Sequence, residues 1–349
     1  MKRISPVHKT RFLNWRRVNE IKYHMQQINW GIIGCGDVTE IKSGPAFNIV
    51  ENSRLVAVMR RNPEKAKDYA MRHNVPHWYT DANQLINDRE VNAIYIATPP
   101  SSHEAYAIAA MNAGKPVYVE KPMALNYAAA KNMADEASAK NMKLVVAHYR
   151  REWPLFKKLG ELIHDKVIGD LRLVRLILYK TPFSKEQLED EKIAWRVNPA
   201  IAGGGIFHDL APHQLDIMYH LFGAAKKITG IATNQAGNYA ADDMVAGNIL
   251  FENNIVFSGA WCFSADIQSD HCEIIGSAGK ISFSFFGGDH IELVKDNATT
   301  VFNFDLLKHV QQPMIERTVQ YFLNKAENPC SGEEGVEVMR WMEEMVNKK

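Results

Sequence analysis

The sequence predicts an α/β protein in two parts: an N-terminal Rossmann domain on a doubly wound parallel sheet, then a C-terminal α/β domain with a large, mostly antiparallel open sheet. Short, nearly continuous apolar runs alternate with helical stretches from Ile28 onward, the rhythm of βαβ units whose strands are covered on both faces. Gly34 and Gly36 stand directly after the first run, where a strand must turn tightly into a helix. Beyond Ile228 helices become scarce and alternating segments are broken by turn-forming triplets, as antiparallel hairpins require.

Strands are expected at Ile28 to Ile33, Leu55 to Met59, Ala93 to Ala97, Val117 to Val119 and Leu144 to Ala147. Helices are expected between them, from Val38 to Val50, Pro63 to His73, Ser102 to Ala113 and Asn126 to Asn141, with Pro63 suited to a first turn and Gly114 to a stop. After Arg151 the pattern predicts a helix at Leu155 to His164, a strand at Leu171 to Tyr179, a loop, and a helix from Gly205 to Leu221. Turns are expected at Glu252 to Asn254 and Ser277 to Gly279, and helices at Pro313 to Asn324 and Glu333 to Val346 close the chain. The 349 residues exceed what one core usually supports, so residues 25–148 are assigned to a dinucleotide-binding domain and 149–349 to a substrate-binding and oligomerisation domain.

Residues 1–24 are basic and contain Arg16-Arg17, but lack the apolar stretch that a secretory signal carries. They are expected to be an extension, unstructured or lying ahead of a start at Met25. The 41 basic and 40 acidic side chains nearly cancel, which argues against a nucleic-acid partner. No apolar run is long enough to span a membrane, so a soluble, cytoplasmic protein is expected. Cys35, Cys262, Cys272 and Cys330 form no C-x-x-C pair, so neither a disulfide framework nor a zinc ribbon is indicated. No metal is expected.

Gly34-Cys35-Gly36-Asp37-Val38-Thr39 reads as a phosphate cradle, because glycine lets a pyrophosphate approach the backbone where the opening helix offers free N–H groups. Thr39 takes the place of the motif's third glycine, a packing position that tolerates a small residue. An acidic residue is expected at the end of the second strand where the ribose of NAD is read; Arg60 and Arg61 stand there instead. Guanidinium groups clamp a 2′-phosphate, so NADP is expected in preference to NAD.

Three further segments are Ala97-Thr98-Pro99-Pro100 with His103, Glu120-Lys121-Pro122, and Gly203-Gly204-Gly205 leading to Asp209 and His213. Lys121 falls at the carboxyl end of a parallel strand, where ligands of open α/β sheets bind, and its charge suits an oxygen that becomes negative during hydride transfer. Asp209 and His213 lie four apart and so share a helix face, with Asp216 nearly in line. A histidine there has the pKa to move a hydroxyl proton at neutral pH. Asp209 with His213 is also a metal-ligand spacing, but no closed ligand set accompanies it. Asp216 has a plainer reading as the partner of a buried group, and His208 and His220 as packing or surface residues.

In order and separation these segments resemble the glucose-fructose oxidoreductase, inositol dehydrogenase and MocA (Gfo/Idh/MocA) family, from about residue 28 to the last helices. The resemblance implies an NAD(P)-dependent enzyme moving hydride between nicotinamide and a secondary alcohol or ketone of a sugar, polyol or cyclic diol. It implies catalysis by Lys121, His213 and Asp209. Cofactor contacts are implied for Gly34, Gly36, Asp37, Val38, Thr39, Arg60, Arg61, Thr98, Pro99, Pro100, His103, Glu120, Lys121, Trp195 and Arg196. The hydroxylated substrate is expected against Lys121, Tyr149, Arg196, Asp209 and His213, and the assembly is expected to be a homodimer or homotetramer. Two alternatives remain: a cofactor that stays bound through a redox-neutral or two-substrate cycle, and a non-catalytic NADP-binding protein.

Overall fold

Six strands, β1 (Ile28–Ile33), β2 (Ser53–Met59), β3 (His77–Tyr79), β4 (Ala93–Ile96), β5 (Val117–Val119) and β6 (Leu144–Val146), form a wholly parallel sheet in the order β3-β2-β1-β4-β5-β6. The computed structural model describes residues 26–346, so the extension expected at 1–24 lies outside the described residues. All of β4, β5 and β6 is buried, which is why their sequences are unbroken apolar runs. Strand order reverses between β1 and β4, and a crevice opens at the carboxyl ends there. The edge strand β3 was not expected, since its three residues are only partly covered and show neither alternation nor an apolar run.

The single helix expected from Val38 to Val50 is two short helices, Asp37–Ile41 and Ala46–Ile49. Pro45 has no N–H with which to continue the helical ladder. The Thr39 carbonyl, released by the break, accepts from Gly44 N at 3.1 Å and from the Tyr69 hydroxyl at 2.8 Å. Tyr69 belongs to the helix Pro63–Arg72, capped at Asn62. From the end of that helix Arg72 donates twice to Glu40, at 2.8 Å each, and His73 Nε2 lies 2.8 Å from the same carboxylate. The short helix after the glycines is thereby tied to the next βα unit.

The second sheet holds eight strands: β7 (Leu171–Tyr179), β8 (Ala225–Thr233), β9 (Met244–Phe251), β10 (Val256–Cys262), β11 (Ser269–Gly276), β12 (Lys280–Phe283), β13 (His290–Lys295) and β14 (Ala298–Asn303). Their order is β14-β13-β12-β11-β7-β10-β9-β8. Only β7 and β10 run parallel; every other pair is antiparallel, as the turn signals predict. Asn254 supplies the positive φ of the β9–β10 turn, and Asp296 and Asn297, both with positive φ, form the two-residue turn between β13 and β14.

One face of this sheet packs on the helix Gly205–Phe222, where Phe207 meets Trp261 edge-on and the Trp261 indole donates to Gln214 at 2.6 Å. The other face shows Arg175, Ile231, Val256 and His271. The last helix, Gly332–Val346, packs on both Tyr127–Ala139 and Gly205–Phe222. A buried ion pair fastens the sheets' connection: Arg151, just after β6, donates to both oxygens of Asp216 at 2.6–3.0 Å and to Glu334 at 2.9 Å. Breaking one member of such a pair typically costs about 3–5 kcal/mol, because the other is left charged and dry. Among the described residues no helix is long and apolar enough to cross a membrane.

The Arg72 hydrogen bonds, opposed by partial burial and aided by His73, hold the Glu40 carboxyl down at about 2. A depressed carboxyl contributes stability above its unfolded value and loses it as the pH falls toward the folded one. Replacing Glu40 with Gln is expected to lower the melting temperature at pH 7 by about 1–2 °C, modest because the cluster is half exposed. Melts from pH 7 downward should show that gap shrinking below pH 4.5, to under about half by pH 3; a constant gap would contradict the ion-pair account.

Candidate active site

At the carboxyl ends of the parallel strands lies a cleft of about 530 Å³. Its Rossmann wall is made by Gly34 to Val38, Met59 to Arg61, Lys65, Ala97 to Pro100, Tyr106 and Glu120 to Pro122. The opposite wall comes from Asp190 to Lys192, Trp195, Arg196, Ala202 and Asp209.

Gly34 has φ +95°, and a Cβ there would stand 2.7 Å from Thr98 Cγ2 and 2.9 Å from the Ala97 carbonyl carbon. The turn itself therefore demands glycine. Gly36 is different, since its backbone is extended and a Cβ would find nothing nearer than 3.9 Å. Packing would accept a side chain at Gly36; its absence keeps the cleft floor flat and open. A flat floor with free amides at a helix start fits a pyrophosphate. Thr39 does not line the cleft: it is buried beneath the turn, and its hydroxyl donates to the Gly36 carbonyl at 2.8 Å. Burial pushes the Cys35 thiol up to about 12, so it stays protonated at neutral pH.

At the end of β2, Arg60 and Arg61 both line the cleft, with Arg60 donating to the Cys35 carbonyl at 3.3 Å. Lys65 joins them. Three cations thus line this end of the Rossmann wall. Lys65 went unnoticed in the sequence although it follows the arginine pair by one helical turn, a detectable signal.

Thr98, Pro99 and Pro100 line the cleft, whereas His103 is fully buried behind them. Its Nδ1 lies 3.1 and 3.2 Å from the carbonyls of Pro122 and Met123, and its Nε2 2.7 Å from that of Thr98. His103 thus pins the β4 and β5 end loops together. Glu120 is also nearly buried, accepting from the Tyr95 hydroxyl at 2.6 Å, Gln311 Nε2 at 2.5 Å and the Lys121 N–H at 3.1 Å. Both residues fix the backbone from which Lys121 projects.

The Lys121 amine donates to Asp209 Oδ1 and to the Asp209 carbonyl, each at 2.8 Å. Arg196 Nε lies 3.5 Å from Asp209 Oδ2, and its guanidinium sits 4.7 Å over the Trp195 ring. Burial alone pulls the Lys121 amine down, but the Asp209 carboxylate outweighs it and holds the amine above the usual lysine range. Burial likewise opposes ionisation of Asp209, and Lys121 and Arg196 overcome it, so the carboxyl sits below its usual value. The cleft floor therefore presents a fixed ammonium paired with a fixed carboxylate.

His213 and Tyr149 lie behind this pair and do not line the 530 Å³ cleft. The His213 ring is 5% exposed, between Tyr149 at 5.1 Å and Phe286 at 5.7 Å, and its Nδ1 has no hydrogen-bond partner among the described residues. Burial first, then the charges of Lys121 and Arg150, hold its pKa well below 6.5, so the ring is neutral at neutral pH. Arg150 is a buried cation lying 4.3 Å over Trp153 and 4.7 Å over Phe286, and it donates to the Phe285 carbonyl at 2.5 Å. Asp216 is taken up by Arg151 and is not part of the cleft. His208 lines a separate cavity on the far side of the triple glycine. Among the described residues no group of three or more His, Cys, Asp or Glu is placed to hold a metal.

The segment between β7 and the long helix, read from sequence as a loop, is a string of short helices, Lys185–Glu189, Glu191–Ala194, Trp195–Val197 and Pro199–Ala202. It contributes Asp190, Glu191 and Lys192 to the cleft. No sequence signal marks these three, since a charged turn without periodicity reads as solvated surface.

Residues 28–148 match the family model described as "Oxidoreductase family, NAD-binding Rossmann fold", and residues 156–282 match the GFO/IDH/MocA C-terminal domain. The chain is 46% identical over 317 residues to Oxidoreductase P35 of Formosa agariphila, covering 91% of this chain and 98% of that protein. It is 28% identical over 253 residues to trans-1,2-dihydrobenzene-1,2-diol dehydrogenase of Bos taurus, covering 72% of each chain. With levoglucosan dehydrogenase of Pseudarthrobacter phenanthrenivorans it shares 26% identity over 308 residues, covering 77% of this chain and 76% of that one. A structure of levoglucosan dehydrogenase in complex with NADH and levoglucosan superposes at a TM-score of 0.83 with 21% identity, covering 92% of this chain and 96% of the other.

The contrast between the two glycines is testable. Gly36→Val should fold with near-unchanged stability but weaken nicotinamide dinucleotide binding at least about tenfold, because the new side chain occupies the floor. Gly34→Ala should destabilise the fold itself by about 1–3 kcal/mol through its strained φ. Calorimetric titration and thermal melts separate the two; equal binding by Gly36→Val would show that the floor is not where phosphate rests.

Proposed function

The chain belongs to the GFO/IDH/MocA oxidoreductase family, and from that premise we propose an NADP-preferring dehydrogenase that interconverts a secondary alcohol and a ketone on a sugar, polyol or cyclic diol. The Lys121–Asp209 pair at the cleft floor carries this reading. When bound, the nicotinamide supplies a hydride acceptor in oxidation and a donor in reduction. Everything else is the work of side chains.

In this reading the substrate hydroxyl oxygen lies against the Lys121 amine. A permanently charged ammonium, desolvated and held in place by Asp209, stabilises negative charge developing on that oxygen as the C–H bond breaks. Its raised pKa makes Lys121 a poor proton acceptor, so the proton needs another destination. His213, behind the pair, is the candidate: its neutral ring accepts the hydroxyl proton in oxidation and returns it in reduction, while its Nδ1 is buried without a partner among the described residues. Asp209 and Arg196 orient a neighbouring hydroxyl, and Tyr149 packs against the His213 ring and limits its motion. Two relatives, named as a trans-1,2-dihydrobenzene-1,2-diol dehydrogenase and a levoglucosan dehydrogenase, support a hydroxylated substrate.

The preference for NADP rests on Arg60, Arg61 and Lys65 in the cleft and on Arg60-Arg61 standing where β2 would otherwise end in Asp or Glu. Association through the outer face of the eight-stranded sheet, where Ile231 and Val256 are exposed, completes the proposal.

Turnover of a sugar and polyol panel, followed by nicotinamide absorbance, tests the assignment. Lys121→Ala should lower kcat/KM by about 10³-fold or more, and His213→Ala by about 10²–10⁴-fold, with NADPH affinity nearly kept. Because His213 titrates well below 6.5, the oxidation rate should show no break at pH 6.5 and fall only at more acid pH, where the ring takes up a proton before substrate delivers one. Arg60→Asp with Arg61→Ser should weaken NADPH by about tenfold or more and spare NADH. Full turnover in Lys121→Ala would remove the mechanism, and unchanged cofactor discrimination would remove the NADP preference.

A further inference from the structure

Lys192 and Asp37 face one another across the mouth of the cleft. Asp37 opens the short helix after the glycines, while Lys192 comes from the string of short helices on the opposite wall. The Lys192 amine is 3.9 Å from Asp37 Oδ2, with the two side chains 70% and 61% exposed. An ion pair that long and that wet contributes little. Holding the two walls together is therefore not a sufficient account of it. What the pair does show is reach: the flexible lysine stem crosses from the substrate domain to the residue that borders the phosphate floor at Gly36.

The floor itself supplies neutral amides, and Asp37 adds a negative charge at its edge. A pyrophosphate entering there meets a carboxylate that repels it and an ammonium already at hand. The ammonium gains by exchanging one half-solvated carboxylate for a group of higher charge density. The backbone around Lys192 is not loose: its carbonyl accepts from Arg196 Nη1, and Arg196 is in turn fixed by Trp195 and by Asp209. The same Asp209 holds Lys121. One run of seven residues, 190–196, thus touches both the phosphate end of the cleft and the ion pair on its floor.

Building on the reading of the cleft as a nicotinamide dinucleotide site, we propose that Lys192 is a cofactor-binding residue that leaves Asp37 to clamp the pyrophosphate, so that the substrate domain closes on the cofactor through this side chain. Affinity at the site then depends on both domains, and Asp37 is the intramolecular competitor that lets the clamp reopen.

Equilibrium titration of the intact protein, read by quenching of tryptophan fluorescence, tests this with two probes: NADPH, and adenosine 2′-monophosphate, which keeps the 2′-phosphate and carries no phosphate at the pyrophosphate position. Lys192→Ala should weaken NADPH about five- to tenfold at low salt and leave the monophosphate within twofold, Lys192→Arg should restore most of the loss, and Asp37→Asn should tighten NADPH about two- to threefold. The NADPH penalty of Lys192→Ala should also shrink as salt is raised. Equal weakening of both probes, or no weakening of NADPH, overturns the clamp while leaving the dinucleotide site standing. Failure of the unaltered protein to bind any of NADPH, NADP, NADH or NAD overturns the site and the clamp together.

Discussion

The bond on which the rest of the site depends is the one between Lys121 and Asp209. Lys121 stands on the turn after β5 and Asp209 on the first turns of the helix Gly205–Phe222, so this pair of charges joins the parallel sheet to the part of the chain that faces it at the cleft floor. Neither group is comfortable alone: burial favours the neutral amine and the neutral acid, and each is kept ionised by the other. The arrangement fixes an ammonium in a partly dry place without neutralising it. That is the condition under which one charge stabilises a developing oxyanion most strongly.

Around that pair the chain spends its polar residues on rigidity. His103 and Glu120, both part of motifs that read as cofactor contacts, turn inward to carbonyls, hydroxyls and Gln311. Arg150 and Arg151 are adjacent in sequence and go to different tasks: one lies among aromatic rings behind His213, the other locks Asp216 and Glu334. Functional motifs in such a fold thus mix residues that meet the ligand with residues that aim those residues.

Much of the fold was legible because burial on both faces leaves a simple trace. Five of the six parallel strands show as apolar runs, and the two antiparallel turns read from Glu252 to Asn254 and from Ser277 to Gly279 stand where strands reverse. The failures have equally physical causes. The strand β3 is short, marginal and half wet, whereas the break near Pro45 does carry a turn signal, Ser43-Gly44-Pro45, that a single helix from Val38 to Val50 overrides. For the site, Gly34, Lys121 and Asp209 were readable since strand ends and helix spacing determine where they go. The charged turn 190–192 was not, because its position follows from how one domain leans over the other, which no local pattern encodes.

The parallel pairing of β7 with β10, the single departure from an antiparallel sheet, has a topological consequence. A chain that leaves the middle of a sheet and must re-enter beside the same strand in the same sense needs a long excursion; here it runs out through residues 180–222 to the edge strand β8 and meanders back. Both the run bearing Lys192 and Arg196 and the helix bearing Asp209 and His213 lie within that excursion. The scaffold thereby sets the second wall of the cleft apart from its hydrogen-bonded framework: every residue of that wall, from Asp190 to Asp209, rides on one crossover and none on the ladder of strands beneath.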